Sequence, residues 1–290
     1  MTTPADLTTC GTIAGVRAAV AGARRQGLVV GLVPTMGALH AGHLRLIEDA
    51  RAASGLVVVS IFVNPTQFGP GEDFRRYPRT LEADLDLCIR GGASVVFAPE
   101  VAEIYPRGPL STFVEVPDLS GLLEGASRPG HFRGVATVVL KLLSIVGPDL
   151  AFFGRKDYQQ LQVICRMVDD LDVPVEVRGV PTVRESDGLA MSSRNRYLDA
   201  DQRRAAVVLS RALGAARLAV EAGERDAGRV RQVLRRAIES EPLAAIDYAE
   251  VADARTLEPL ARLDPGVEAV ALVAARVGPA RLIDNALLSF

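Results

Sequence analysis

Short apolar runs alternate with longer stretches of mixed polarity through the first half of the chain. Runs that are apolar at nearly every position predict strands buried on both faces, and the stretches between them have helical spacing. The predicted strands are 28–33, 56–63, 94–98, 150–153 and 174–180, and the predicted helices are 42–54, 81 to the Gly91-Gly92 pair, 135–146 and 157–171. Strands separated by helices pair in parallel through right-handed crossovers. We therefore expect an α/β fold with a doubly wound, Rossmann-like parallel sheet.

The pattern changes near residue 181. Long Ala- and Arg-rich stretches predict two helices there, and later apolar runs predict three strands. The helices are 199–222 and 227–239, and the strands are 246–251, 267–275 and 281–285. We therefore predict two domains, with residues 1–182 in the Rossmann-like domain and residues 183–290 in a smaller α+β domain.

The fold class also predicts where the chemistry lies. Ligands of doubly wound sheets bind beyond the carboxyl ends of the strands. The candidate positions are therefore the segments that follow Val33, Val63 and Phe153. The Ser- and Arg-rich segment 184–197, which joins the two predicted domains, is a further candidate.

Composition excludes several classes of partner. Hydrophobic residues make up 49% and charged residues 23%, and the formal net charge of −2 gives no general attraction for nucleic acid or anionic membranes.

The sequence also bears on the compartment. Residues 1–10 lack a basic start and a long apolar stretch, so we expect no signal peptide, and no apolar run is long enough to span a bilayer. Three scattered cysteines favour neither a disulfide framework nor a zinc site, which indicates a reducing cytoplasm.

Lysine and histidine are scarce. The lysines are Lys141 and Lys156, and the histidines are His40, His43 and His131. Basic residues are otherwise arginine, so a lysine that remains is a candidate for specific chemistry.

The first motif lies between a predicted strand and a predicted helix, at residues 34–43. Gly37 and Gly42 allow the backbone to approach a ligand, and the helix start offers N–H groups to a phosphate. His40 and His43 could donate to the same phosphate group. A metal pair is the alternative, but no acid or cysteine stands at ligand spacing beside them. The His-x-Gly-His pattern resembles that of nucleotidyltransferases and class I aminoacyl-tRNA synthetases.

Two further motifs fit a bound triphosphate. Residues 153–160 again run from strand to helix, and Lys156 is placed where an ammonium could meet phosphate oxygens. The hydroxyls of Ser192 and Ser193 stand beside Arg194 in the 184–197 segment, a weak signal alone but one that resembles the phosphate loop of the same superfamily.

Five blocks in order resemble the pantothenate synthetase family: 34–43, 62–68, 128–134, 153–160 and 187–195. The resemblance implies condensation of pantoate with β-alanine to give pantothenate, AMP and pyrophosphate, on the route to coenzyme A. Pantoate would attack the α-phosphate of ATP to form pantoyl adenylate, and the amine of β-alanine would then displace AMP. A nucleotidyltransferase that keeps the nucleotide on a small product is the open alternative.

The resemblance also implies roles for individual residues. The expected catalytic residues are His40, His43, Lys156, Ser192, Ser193 and Arg194. The expected ATP site adds Thr35, Met36, Gly37, Gly42, Gly154, Arg155, Asp157, Val183 and Met191. The expected substrate contacts are Phe62, Asn64, Gln67, Arg128 and Gln160. Two departures from the family pattern are Ala83, where a second acid is common, and Arg155, where Glu or Gln is usual; we expect only the backbone of Arg155 to matter.

Magnesium is expected to bind mainly through the phosphates of ATP, with Asp84 as its tentative protein contact. The resemblance further implies a homodimer, a lid role for residues 183–290 and a lid over the site near Tyr77. His131 is expected to be structural rather than catalytic.

Overall fold

The structure is a computed structural model that describes residues 7–108 and 110–290. The expectation about a signal peptide concerns residues 1–10, the first six of which lie outside the described residues. Within the described ranges, none of the helices combines the length and the apolar character that a bilayer span requires. The chain divides into two compact units: the residues up to Arg155 with Gln160–Pro181, and Lys156–Gln159 with Thr182–Phe290.

The first unit is built around a six-stranded, fully parallel sheet. Its strands are β1 (Thr8–Cys10), β2 (Val30–Thr35), β3 (Leu56–Ile61), β4 (Val95–Phe97), β5 (Leu150–Gly154) and β6 (Glu176–Val180). The helices are α1 (Ile13–Arg25), α2 (Ala41–Ala53), α3 (Leu81–Gly91), α4 (Val101–Ile104), α5 (Pro117–Ser120), α6 (Leu123–Ser127), α7 (His131–Val146) and α8 (Tyr158–Asp170). The predicted fold class is confirmed.

Strand order explains where a ligand would bind. The order is β1-β4-β3-β2-β5-β6, so the chain steps outward from β2 in one direction and from β5 in the other. The reversal between β2 and β5 is the topological switch point, beyond which doubly wound sheets hold their ligands. The 34–43 motif begins at the end of β2, and Gly154 is the last residue of β5.

The core of the sheet consists of the apolar runs that predicted its strands. Val33, Val57, Val59 and Val96 are fully buried beneath Ile47 of α2. β-Branched side chains suit this position because they pack well on a pleated surface that is covered on both faces.

Several elements differ from the predictions, as the following examples show. β1 and α1 were not predicted, although Val16, Val20 and Ala23 form a buried i, i+4, i+7 row on α1. α7 begins at His131, four residues before the predicted start; the prediction missed this turn because Arg133 and Gly134 interrupt the apolar run. The predicted helix 199–222 is interrupted at Val207.

The second unit packs helices on a three-stranded antiparallel sheet in the order β7-β8-β9. Its elements are α9 (Ala200–Ala206), α10 (Val208–Glu221), α11 (Ala227–Glu239), β7 (Ala244–Asp253), β8 (Ala269–Val277) and β9 (Ala280–Leu288). Leu213 and Leu234 from the helices share one core with Val251 and Val273 from the strands. The expected α+β character is confirmed.

Candidate active site

The imidazoles of His40 and His43 both accept hydrogen bonds from backbone amides at the start of α2, and these bonds fix the orientation of each ring. His40 is the N-cap residue, and its Nδ1 accepts a hydrogen bond from the Gly42 amide at 3.1 Å. Nδ1 of His43 accepts from the His40 amide at 3.2 Å, and the two ring centroids lie 4.1 Å apart. A neutral imidazole whose Nδ1 accepts carries its proton on Nε2. Each ring therefore has Nε2 as its donating nitrogen, at the positive end of the α2 dipole.

A buried carboxylate shapes the loop that leads to these histidines. Asp84, 2% exposed, accepts from the Ala38 amide at 3.0 Å, from the Leu39 amide at 2.8 Å and from the Thr80 hydroxyl at 3.2 Å. Gly37 has φ +79°, and a Cβ there would lie 2.9 Å from the Asp84 carboxylate, so only glycine fits. The loop thus takes its path from Asp84 on α3, 46 positions away from Ala38.

Gln67 is buried and lies against the 34–43 motif. Its Nε2 donates to the sulfur of Met36 at 3.0 Å, and its Oε1 accepts from Nδ2 of Asn64 at 3.1 Å. These contacts bring an expected pantoate residue beside an expected ATP residue. Gly134 makes the arrangement possible, because a Cβ there would lie 2.4 Å from the Thr66 carbonyl oxygen.

Asn64 was expected to contact substrate, but its amide group is occupied within the protein. Nδ2 also donates to the Gly134 carbonyl at 3.2 Å, and Oδ1 accepts from the Tyr105 hydroxyl at 2.7 Å and the Thr66 hydroxyl at 3.0 Å. Asn64 therefore orients Gln67. Phe62 is 5% exposed, and its ring lies 6.1 Å from that of Tyr105. Substrate contact by Asn64 and Phe62 stays a prediction.

Arg128 is bound to two protein partners. Its Nε and Nη2 each donate to the Glu72 carboxylate at 2.7 Å, and its Nη1 lies 3.0 Å from Nε2 of His131. Nδ1 of His131 lies 2.8 Å from the carbonyl oxygen of Gln67. A chain of contacts thus runs from Glu72 through Arg128 and His131 to Gln67. This geometry indicates a positioning role for Arg128; its expected contact with substrate stays a prediction.

The partners of His131 determine its protonation. A guanidinium can only donate and a carbonyl oxygen can only accept, so Nδ1 carries the proton and Nε2 accepts from Arg128. Burial, and after it the charge of Arg128, lower the pKa of His131 from 6.5 to about 4. Hydrogen bonding to Arg128 lowers the pKa of the Glu72 carboxyl. The structural role expected for His131 agrees with a neutral ring held between two fixed partners.

Stability should therefore depend on His131 between pH 6.5 and pH 4. Below pH 6.5 the unfolded chain takes up a proton that the folded ring refuses, so unfolding becomes easier as the pH falls toward 4, by about 2–3 kcal/mol. His131→Asn keeps a donor for the Gln67 carbonyl and removes the titration. Denaturant unfolding at pH 7 and pH 4.5 should show the variant gaining this amount relative to wild type. A difference that stays constant with pH would contradict the lowered pKa.

Several expected ATP residues lie in the second unit. Lys156 is mostly buried, and its Nζ lies 3.5 Å from Oδ1 of Asp157. Its carbonyl oxygen accepts from Nδ2 of Asn285 at 2.8 Å. Ser192 caps the short 3-10 turn Ser193–Tyr197 by accepting from the Arg194 amide at 3.3 Å.

The 184–197 segment is held by hydrogen bonds within its own unit. Residues 183–191 form a hairpin in which the Met191 amide donates to the Val183 carbonyl at 3.0 Å. Arg203 donates to Glu185 and Asp187 at 2.7 and 2.6 Å, and Asn195 donates to Glu185 at 2.8 Å.

The remaining expected residues lie in the first unit. The Thr35 hydroxyl donates to the Ser60 carbonyl at 2.7 Å and accepts from the Gly37 amide. Nε of Arg155 donates to the Gly179 carbonyl at 3.1 Å, so its side chain turns onto β6. Gln160 is half-buried on α8, and a Cβ on Gly154 would meet open space.

The sequence did not predict Glu72, Tyr105, Asp284 or Asn285 as parts of the site. Each acts through residues far away along the chain. The available signal in the sequence was an acid, Glu72, close to the lid expected near Tyr77.

Comparison with known proteins identifies the family. The family model described as pantoate–β-alanine ligase matches residues 8–287. The chain belongs to the pantoate–β-alanine ligase family. It is 55% identical over 277 residues to a pantothenate synthetase of Moorella thermoacetica, covering 96% of this chain and 97% of that protein. It is 56% identical to a pantothenate synthetase of Pelotomaculum thermopropionicum, covering 96% and 98%.

Solved structures of the ligase family share the fold. A pantothenate synthetase of Thermus thermophilus superposes with a TM-score of 0.89 at 49% identity, covering 96% of this chain and 98% of that one. A pantoate–β-alanine ligase of Francisella tularensis, solved in complex with an ATP ligand and β-alanine, gives 0.78 at 33% identity and 97% coverage of both chains. The predicted resemblance is confirmed.

Proposed function

We propose that this chain joins pantoate to β-alanine through a pantoyl-adenylate intermediate, with release of pyrophosphate and then AMP. The main support for this proposal is the pair of imidazoles, His40 and His43, which cap the start of α2 directly after the loop that carries Met36, the partner of Gln67. Two fixed donors for a phosphate would thus lie close to an amide for a hydroxy acid. Family membership favours this reaction over the nucleotidyltransferase alternative.

Adenylate formation needs stabilisation of charge on the α-phosphate. The pantoate carboxylate attacks phosphorus, and the bond to the pyrophosphate oxygen breaks. Nε2–H of His40 and of His43 would donate to oxygens of the α-phosphate, because both Nδ1 atoms accept from the backbone. Donors held in place before the reaction stabilise the developing charge without reorganisation. The N-terminus of α2 contributes in the same direction.

Amides suit the binding of pantoate. A bidentate arginine would engage the carboxylate lone pairs that must attack phosphorus. Gln67 and Gln160 can orient the hydroxyls and the carboxylate while one oxygen stays reactive. Asn64 and Met36 hold the Gln67 amide in one orientation, which lowers the cost of ordering it.

The outer phosphates would be bound by residues of the second unit. Lys156 supplies an ammonium, and Ser192, Ser193 and Arg194 supply hydroxyls and a guanidinium. The rest of the nucleotide pocket would be lined by Gly154, Arg155, Asp157, Val183 and Met191. The second unit would act as a lid that keeps water from the adenylate.

The residues present do not fit a magnesium ion held by the protein. Among the residues that the structure describes, no group of three or more His, Cys, Asp or Glu side chains could hold a metal. The Asp84 carboxylate already accepts three hydrogen bonds. Asp84 would therefore hold the loop, and magnesium would arrive on the phosphates of ATP. A direct contact between Asp84 and magnesium stays a prediction.

Asp84→Asn separates these two roles. An amide oxygen can accept from one of the two loop amides, while its NH2 group faces the other, so we expect adenylate formation to fall by roughly tenfold to a hundredfold. If Asp84 holds only the loop, the magnesium concentration for half-maximal rate stays the same. Magnesium titration at saturating ATP measures this. A large rise in that concentration would instead establish Asp84 as a metal contact.

The direct test of the function uses ATP, magnesium, pantoate and β-alanine. AMP and an amide product should appear together, and omission of β-alanine should leave pantoate-dependent exchange of pyrophosphate into ATP. A stable nucleotide adduct would overturn the proposal in favour of a nucleotidyltransferase.

Family membership also supports a homodimer and a cytoplasmic location; sedimentation at micromolar concentration tests the homodimer.

A further inference from the structure

Two neighbouring residues of β9 contact the two phosphate-binding segments of the second unit. Asp284 and Asn285 are 3% and 8% exposed, although both are polar. Buried polar groups are stable only when they are bonded, so the partners of this pair show what it does.

Asn285 holds the segment that carries Lys156. Its Nδ2 donates to the Lys156 carbonyl oxygen at 2.8 Å. The hydroxyl of Tyr158 provides a second attachment by donating to the Ala254 carbonyl at 3.0 Å. These bonds explain why residues 156–159 cluster with the second unit although they follow a strand of the first.

Asp284 holds the segment that carries Ser192 and Arg194. Its carboxylate accepts from Nη1 and Nη2 of Arg184 at 2.6 and 2.9 Å. Nη1 of Arg184 also donates to the Gly188 carbonyl at 3.0 Å, which closes the turn of the 183–191 hairpin. The Asp284 carboxylate also accepts a hydrogen bond from the backbone N–H of Asn285 at 2.8 Å. Asp284 and Asn285, here called the two anchors, are therefore hydrogen-bonded to each other.

We infer that Asp284 and Asn285 are positioning residues for the triphosphate, which fix the Lys156 segment and the hairpin at one short stretch of β9. The inference rests on the proposed function, because it takes Lys156 and Arg194 to bind ATP. The small sheet thereby sets the spacing between an ammonium and a set of hydroxyls. Errors of about 1 Å in such spacing are sufficient to slow a reaction strongly.

Asn285→Ala and Arg184→Lys each weaken one anchor. Arg184→Lys leaves a cation beside Asp284, so that the buried charge stays paired and folding is preserved. The control is Asp247→Asn, which breaks another Arg–Asp pair of the same sheet, with Arg281, at 2.6 Å. The measurement is pantoate-dependent pyrophosphate exchange, with KM for ATP and for pantoate determined separately, together with the thermal unfolding midpoint.

We expect both anchor variants to raise the KM for ATP by roughly tenfold and to leave the KM for pantoate within about twofold. Asp247→Asn should change neither. Equal rises in the two KM values, or anchor variants that match the control, would overturn the inference. Loss of exchange in the wild-type chain would instead overturn the proposed function, so the two failures are distinguishable.

Discussion

His43→Asn should slow pantoyl-adenylate formation by roughly 10²- to 10³-fold while the fold stays intact. The oxygen of asparagine takes the place of Nδ1 and can still accept from the His40 amide, which caps α2. The variant has no group in the place of Nε2. It therefore removes the proposed phosphate donor and keeps the local structure. Pantoate-dependent pyrophosphate exchange measures the rate, and denaturant unfolding measures the stability.

His43→Gln is the matched control. Glutamine can place an N–H near the position of Nε2, but it does not provide the acceptor that stands at Nδ1. We expect it to be more active than His43→Asn and less stable, by about 1 kcal/mol for the lost cap. The reverse order of activities would contradict the assignment of Nε2 as the donor. So would a His43→Asn variant that keeps more than about a tenth of the wild-type rate.

Strands β2 to β5 could be predicted because they are covered on both faces, unlike β1, in which Thr8 and Thr9 are exposed. Such strands are apolar at every position, so runs like Val57–Val59 are visible without any partner. The place of the His40–His43 motif followed from this, since the motif begins where β2 ends. The rule for doubly wound sheets gave the ends of three strands as candidate positions, but the switch point between β2 and β5 is visible only in the strand order of the structure.

The roles of single polar residues could not be predicted in the same way. Sequence gives the type of a side chain but not the partner that uses its hydrogen bonds. Asn64 is bonded to residues 41 and 70 positions away, and Arg128 to Glu72 at a separation of 56. The sequence does not distinguish a buried amide side chain that orients another amide from one that binds a substrate, because both are the same residue type. Only the folded structure separates the two.

Residues 156–159 show the same limit for domain boundaries. They comprise the end of the turn after β5 and the first two residues of α8, so sequence order places them in the first domain. Their hydrogen bonds to Asn285 and Ala254 place them in the second unit. The predicted boundary after residue 182 is a single cut, whereas the second compact unit also contains residues 156–159. That segment carries Lys156, the ammonium assigned to the outer phosphates.

Lys156→Met should lower kcat/KM for ATP by roughly 10²- to 10³-fold, or about 3–4 kcal/mol in the barrier. Methionine keeps most of the aliphatic length and removes the charge, so packing of this mostly buried side chain is retained. The loss should fall on ATP rather than on pantoate, because the ammonium is assigned to the outer phosphates. Steady-state kinetics with each substrate varied in turn, and equilibrium binding of a non-hydrolysable ATP analogue, measure the two effects separately.

The chain offers a matched control, since Lys141 is the other lysine. Its Nζ lies 5.6 Å from the centre of the Tyr105 ring, a contact worth about 0.5–1 kcal/mol. Lys141→Met should therefore affect stability slightly and kcat/KM for ATP by less than about threefold. Lys156→Arg should restore only part of the activity, because a planar guanidinium does not replace a compact ammonium. Equal losses in the Lys156→Met and Lys141→Met variants would mean that Lys156 acts on the fold rather than on ATP.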